Sequence, residues 1–265
     1  MSDHEEYRHR AARVLDGVEN GPRHVLTITE PELLALDDPD KPRITPVLSL
    51  GPTVADQQRS LATDEAARRL MADGHAEDGT PLGGHDDPAD EPTVRTVLRM
   101  RRSWLGVLLV DQNTALGRQF VTVYLRADGR AMTEAADRDG VHRFTVMTRG
   151  AAIDATIRTL TPFEEASDDD GPGLTYPVAS WAEEARDLLA PAKIATVVIS
   201  RRLGRTSGRR AEDRFTVYNF DDRTELFAVE TPERVRIAPV ARRTLRERLE
   251  EVTRPLEPGA SAPDG

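Results

Sequence analysis

Hydrophobic residues along this chain fall mostly into short runs. Strand formers dominate those runs, and Gly, Pro and Asp punctuate them. Residues 24–28 predict a first strand through Val25, Leu26 and Ile28. Thr29-Glu30-Pro31-Glu32 follows and carries the signals of a helix start. Thr29 can cap, Pro31 suits the first turn, and Glu32 completes a capping box. The short helix bears Leu33, Leu34 and Leu36. Beyond it come a brief extended piece at 47–50, a helix at 53–72, a polar loop at 73–91 and a helix at 93–102. Strands are then expected at 105–110, 119–126, 131–135 and 141–147, with a hairpin turn at 127–130. A helix at 149–160 closes this group. After an acidic linker, residues 174–178 read as extended and 181–189 as a helix that Ser180 caps. Strands at 194–200, 214–220, 225–229 and 234–238 and a helix at 241–252 complete the pattern.

The order of elements occurs twice. Thr122-Val123-Tyr124 leads to a turn at Asp128, and Thr216-Val217-Tyr218 leads to a turn at Asp222 at the same spacing. Ile153, Ile157 and Leu160 of one closing helix are answered by Leu245, Leu249 and Val252 of the other. This predicts an α+β fold of two pseudo-symmetric halves. Each half is an antiparallel β-meander followed by a helix, with additional helices on the flanks. The expected division is a polar, frayed extension at 1–24, with a short helix at 5–15 as its alternative reading, a first half at 25–162, an acidic linker at 163–173, a second half at 174–254, and a disordered tail at 255–265.

Composition narrows the functional classes. The 265 residues contain no cysteine, which excludes disulfides and thiolate metal sites. A formal charge of -10 disfavours non-specific binding to nucleic acid or anionic lipid. The charged opening Met1-Ser2-Asp3-His4-Glu5-Glu6 lacks the apolar stretch of a signal peptide. The longest apolar run, from Trp104 to Val110, is far below the roughly 20 residues of a membrane helix. A soluble, cytoplasmic protein with no membrane partner is expected.

Catalytic constellations are not evident. His75 and His85 lie in an acidic loop without ligand spacing, so no metal is assigned. His142 is the one histidine of the first meander; it reads as a strand residue with its tip in water, while Asp139 caps the turn at Gly140. No nucleophile elbow and no phosphate loop occur. No cofactor is expected. Arg201, Arg202, Arg205, Arg209 and Arg210 form a basic hairpin with Gly204 and Gly208, read as a solvated loop. An alternative is a winged-helix DNA-binding regulator built on the helix at 53–72. It would need a basic groove from Arg68, Arg69, Arg95, Arg99, Arg101 and Arg102.

Three stretches carry a resemblance. They are Val25-Leu26-Thr27-Ile28-Thr29-Glu30-Pro31-Glu32-Leu33-Leu34-Ala35-Leu36; Pro46-Val47-Leu48 with the helix end from Ala67 to His75; and the strand-helix ends at 140–160 and from Arg234 onward. Together they resemble the EspG family of type VII (ESX) secretion chaperones, over roughly residues 25–253. The resemblance implies a cytosolic, non-enzymatic adaptor. Such proteins bind the helical tip of a secreted protein or heterodimer and keep it soluble for export. It also implies partner contacts in the meander loops and on one sheet face. Leu116, Phe120 and Tyr124 are the candidates there, with Arg205 and Arg209 at the second hairpin. The N-terminal 24 residues and the acidic linker lie outside the family pattern.

Overall fold

A computed structural model describes residues 3–36, 65, 76–77, 80–81, 94–102, 104–114, 117–163, 170–203 and 210–254. The expected strand at 47–50, the helix at 53–72, the histidines of the polar loop and the tail after 254 lie outside them, as do Leu116, Arg205 and Arg209. The first elements are helix α1 (Asp3–Val14), strand β1 (Arg23–Thr29), and helices α2 (Glu30–Leu36) and α3 (Val94–Arg102). The meander strands β2 (Gly106–Thr114), β3 (Gly117–Leu125), β4 (Arg130–Ala136) and β5 (Val141–Thr148) lead into helix α4 (Arg149–Leu160). The second series is β6 (Leu174–Pro177), short helices α5 (Trp181–Glu184) and α6 (Arg186–Leu189), β7 (Ile194–Leu203), β8 (Arg210–Asn219), β9 (Thr224–Thr231), β10 (Arg234–Pro239) and helix α7 (Arg242–Thr253). A minimal hairpin, Ala76–Glu77 with Thr80–Pro81, stands apart.

The protein is α+β, with a sheet of ten strands in the order β1-β5-β4-β3-β2-β7-β8-β9-β10-β6. That order is a palindrome: in each series the outermost strand is the first one made, and the meander runs inward from its last strand to its first. Local chemistry explains the turns. Gly129 supplies a φ of 78° in the β3–β4 hairpin, where Asp128 accepts the Arg130 N–H. The β4–β5 turn is organised by Asp137, contrary to the expectation for Asp139. Asp137 Oδ1 accepts the N–H groups of Asp139 and Val141, and Oδ2 takes Arg143. At the start of α2, Glu32 accepts both the N–H and the hydroxyl of Thr29, as the capping box predicts.

Two compact units emerge, and each has its own interior. The first combines Met1–Trp104 with Phe120–Thr148. Here Met132, Phe144, Val146 and Phe120 line one face of the β1-β5-β4-β3 ladder and are almost fully buried. The helices α3 and α1 belong to this unit, and α1 packs on α3. Ala11, Val14 and Leu15 of the N-terminal segment are 1–4% exposed. Residues 3–24 are therefore no frayed extension: Ala11 and Val14 of α1, with Leu15 just after it, anchor them.

The second unit combines Leu105–Gln119 with Arg149–Gly265. One face of its β2-β7-β8-β9-β10 ladder is roofed by α4 and α7, which bury Ile153, Ile157, Leu160, Leu245, Leu249 and Val252. Gln112 reaches the Thr159 carbonyl of α4, and Ser200 reaches the Val252 carbonyl of α7. Arg149 crosses between the helices to Glu250 O and Thr253. The expected helix at 181–189 breaks at Ala185 into α5 and α6. Ser180 makes no side-chain cap there; its carbonyl serves the first amides instead.

Candidate functional site

Two places gather polar or apolar groups in an unusual way. The first is a buried polar cluster in the first unit. Opposite partners on an antiparallel ladder share a face, so Tyr124, Glu134 and His142 point the same way from β3, β4 and β5. Arg101 of α3 meets them, its Nε donating to Glu134 Oε2 at 2.9 Å. Tyr124 donates to the same oxygen at 2.6 Å, and His142 Nδ1 lies 2.8 Å from Oε1. His142 Nε2 has no hydrogen-bond partner and lies 4.0 Å from Glu30 Oε1. Burial by itself pushes the Glu134 carboxyl up. The charge of Arg101 and the bonds from His142 and Tyr124 outweigh that and hold it at about 2. His142 is thus buried, contrary to its expected place in water, because a strand position one face over from solvent turns it toward Glu134. All five side chains are 7% exposed or less, so no substrate reaches this cluster as it stands. Among the described residues no group of acidic or histidine side chains is placed to hold a metal.

The second place is the other face of the second unit's ladder. Leu109, Ile199 and Arg214 lie directly opposite one another on β2, β7 and β8. The next row on that face is Asp111, Val197, Thr216 and Phe227. The row beyond it brings Ala195 opposite Tyr218. Leu109, Val197, Ile199, Tyr218 and Phe227 are only half-buried. Coverage comes from α5 and α6, four residues each, whose Trp181 ring meets Phe227 at 4.5 Å. Ala185 is fully buried beneath them, yet Val229 stays 57% exposed. The covered face of the first unit shows no such stripe, since nine-residue α3 and twelve-residue α1 belong to its roof. Charges edge the stripe: Arg201 is held by Glu212 and Arg118 by Asp111. A separate open groove of ≈ 480 Å³ lies at the sheet edge, lined by Thr175, Tyr176, Pro177, Glu233 and Arg234. Its lining mixes apolar and polar surface, and Pro177 removes a donor from that edge.

This arrangement sits on a known scaffold. In fold, the chain is similar to the chaperone EspG5. The match is to the solved structure of the Mycobacterium tuberculosis type VII secretion system chaperone EspG5 in complex with the PE25–PPE41 dimer. It has a TM-score of 0.50 and 9% sequence identity, and it covers 86% of this chain and 95% of the other. No family model matches the sequence, and no curated protein does. No helix among the described residues is long and apolar enough to cross a membrane.

Of the residues singled out in the sequence, Phe120 and Tyr124 share strand β3 and are 1% and 2% exposed. They face the covered side of the first unit, where Tyr124 serves Glu134, and they present no surface to a partner. Of the cations expected in a DNA-binding groove, Arg68 and Arg69 lie outside the described residues, and Arg99 and Arg101 are engaged. Arg101 is sequestered by Glu134, and Arg99 lies 4.2 Å over the Tyr7 ring. The stripe residues Leu109, Val197, Ile199 and Arg214 were missed. A signal for them exists: residues 195–199 read Ala-Thr-Val-Val-Ile, apolar on both faces of one strand. A strand of that kind needs cover on both sides, and among the described residues a long helix lies on only one.

Proposed function

We propose that this protein is a non-enzymatic, cytoplasmic chaperone that binds a helical substrate of a type VII (ESX) secretion system and keeps it soluble for export. One observation carries the reading: the half-open apolar stripe Leu109–Val197–Ile199–Tyr218–Phe227. Exposed apolar area of this kind, rimmed by charge, marks a protein-interaction surface. The partner is proposed to be a helical secreted protein or heterodimer, and the fold shared with a chaperone that binds the PE25–PPE41 dimer supports this. Leu116, which follows β2 in sequence, and Arg205 and Arg209, between β7 and β8, are proposed as peripheral contacts because they adjoin in sequence the strands that carry the stripe. The palindromic strand order supports reading 25–162 and 174–254 as an internal repeat, each copy of Thr-Val-Tyr lying on the second strand of a meander.

Co-expression with helical heterodimers of the PE and PPE kind, encoded in the same genome, tests the proposal. Capture of a stoichiometric complex is expected, and Ile199→Glu abolishes it while leaving the circular dichroism spectrum and Tm in place. A complex that survives Ile199→Glu, or the absence of any complex across such pairs, overturns the reading.

A further inference from the structure

We infer that Arg214 makes the open stripe selective: it accepts an amphipathic helix that carries a carboxylate, Asp or Glu, in the middle of its apolar face. The inference rests on the docking surface proposed above and names the chemistry of its occupant.

Arg214 lies on β8 directly opposite Ile199, and Ile199 is opposite Leu109 on β2. Its side chain therefore closes that apolar row on the β8 side, on the same face as Ile199 and Leu109. The residues before and after it on the same face are Glu212 and Thr216. Glu212 is already committed to Arg201 at 2.8 Å, and Thr216 has no charge. The other cations near this surface are likewise answered: Arg118 by Asp111, Arg202 by Asp213 and Arg223 by Glu225. Arg214 is exposed, and among the described residues it makes no ion pair and no hydrogen bond; Arg186, on the short helix α6 over this face, is exposed as well. The chain as a whole is acidic, at -10, so an unanswered guanidinium on an apolar stripe is a local reversal of sign.

That reversal defines the occupant. Covering the stripe with a purely apolar surface would strip water from Arg214 without replacing its hydrogen bonds, which costs free energy. A carboxylate at that point supplies a bidentate, charge-assisted pair whose strength rises as water is excluded. Helical form follows from the geometry. The stripe runs across neighbouring strands on a sheet face, where side chains and not backbone groups are on offer. The other face of this ladder is already covered by the amphipathic helices α4 and α7, the layer solution that a sheet face favours.

The test uses the full-length chain and three synthetic helical hairpins, identical along one leucine-rich face except for Glu, Gln or Lys at its centre. Titration calorimetry reads the affinities. The Glu hairpin is expected to bind roughly tenfold tighter than the Gln hairpin, the magnitude of a charge-assisted hydrogen bond. The Lys hairpin binds more weakly than both. In Arg214→Glu the order inverts, and in Arg214→Gln it flattens, with circular dichroism spectra unchanged. Equal affinities for all three hairpins, abolished together by Ile199→Glu, would leave the docking surface standing and refute the selective role of Arg214. No binding of any hairpin to the unsubstituted protein would refute both. A dimer seen by sedimentation that Arg214→Glu dissociates would assign the face to a second copy of this chain and overturn the helical partner.

Discussion

Glu134 shows how much one buried charge can demand. It is fully enclosed, and burial alone opposes its ionisation; Arg101, His142 and Tyr124 together reverse the balance. A carboxyl held at about 2 in the folded state, against an ordinary 4.5, contributes stability that is present above pH 4.5. That contribution, on the order of a few kcal/mol, is lost as pH falls from 4.5 through about 2. Chemical denaturation between pH 2 and 7 measures it. In Glu134→Gln this part of the acid dependence is expected to vanish. Removing the cation is a different perturbation. Arg101→Met leaves a buried carboxylate without its counter-charge and is expected to cost about 3–5 kcal/mol in urea titrations at neutral pH. A loss below about 1 kcal/mol would mean that water enters the cluster.

At the scale of elements, α7 begins in an unusual way. Its N-cap position is Ala241, which has no side chain able to cap. Asp170, far back in sequence, fills the role: one oxygen accepts the Ala241 N–H at 2.9 Å and the other the Thr244 hydroxyl at 2.7 Å. Those bonds hold the Asp170 carboxyl below its usual range. The acidic linker thus ends in a functional cap, and its charge also suits the positive end of the helix dipole. Asp170→Ala is expected to lower stability by about 1 kcal/mol, read as a shift in the urea midpoint with an unchanged slope. Asp170→Asn is expected to retain most of the cap, because Asn accepts from the same amide.

At the scale of the whole molecule, the second unit carries a ladder whose two faces are unequally roofed by the described helices. In the second unit α4 and α7 cover one face and two single-turn helices cover part of the other. A partner bound on the open face stabilises the folded state by mass action. At a free concentration of one hundred Kd the gain is about 2.7 kcal/mol, visible as a rise in Tm that Ile199→Glu removes. Burial of apolar surface also gives the association a negative heat-capacity change, which calorimetry at several temperatures reads directly.

Much of this was present in the one-dimensional pattern. The periods of apolar residues placed β1, both meanders, α4 and α7, and Thr29 with Glu32 announced the start of α2. Those features depend on neighbours in sequence: alternation, capping and turn chemistry act over a few residues. Contacts between distant segments were not legible in this way. The sequence could not say that Ala11, Val14 and Leu15 pack inward, that Asp170 caps a helix seventy residues on, or that His142 and Arg101 converge on Glu134. Nor could it say which apolar strand positions stay open. Val197 and Val198 look alike as letters, yet one is half-buried and the other fully buried. The difference arises because, among the described residues, a long helix lies over one face of β7 and not over the other, and coverage is a property of how layers stack.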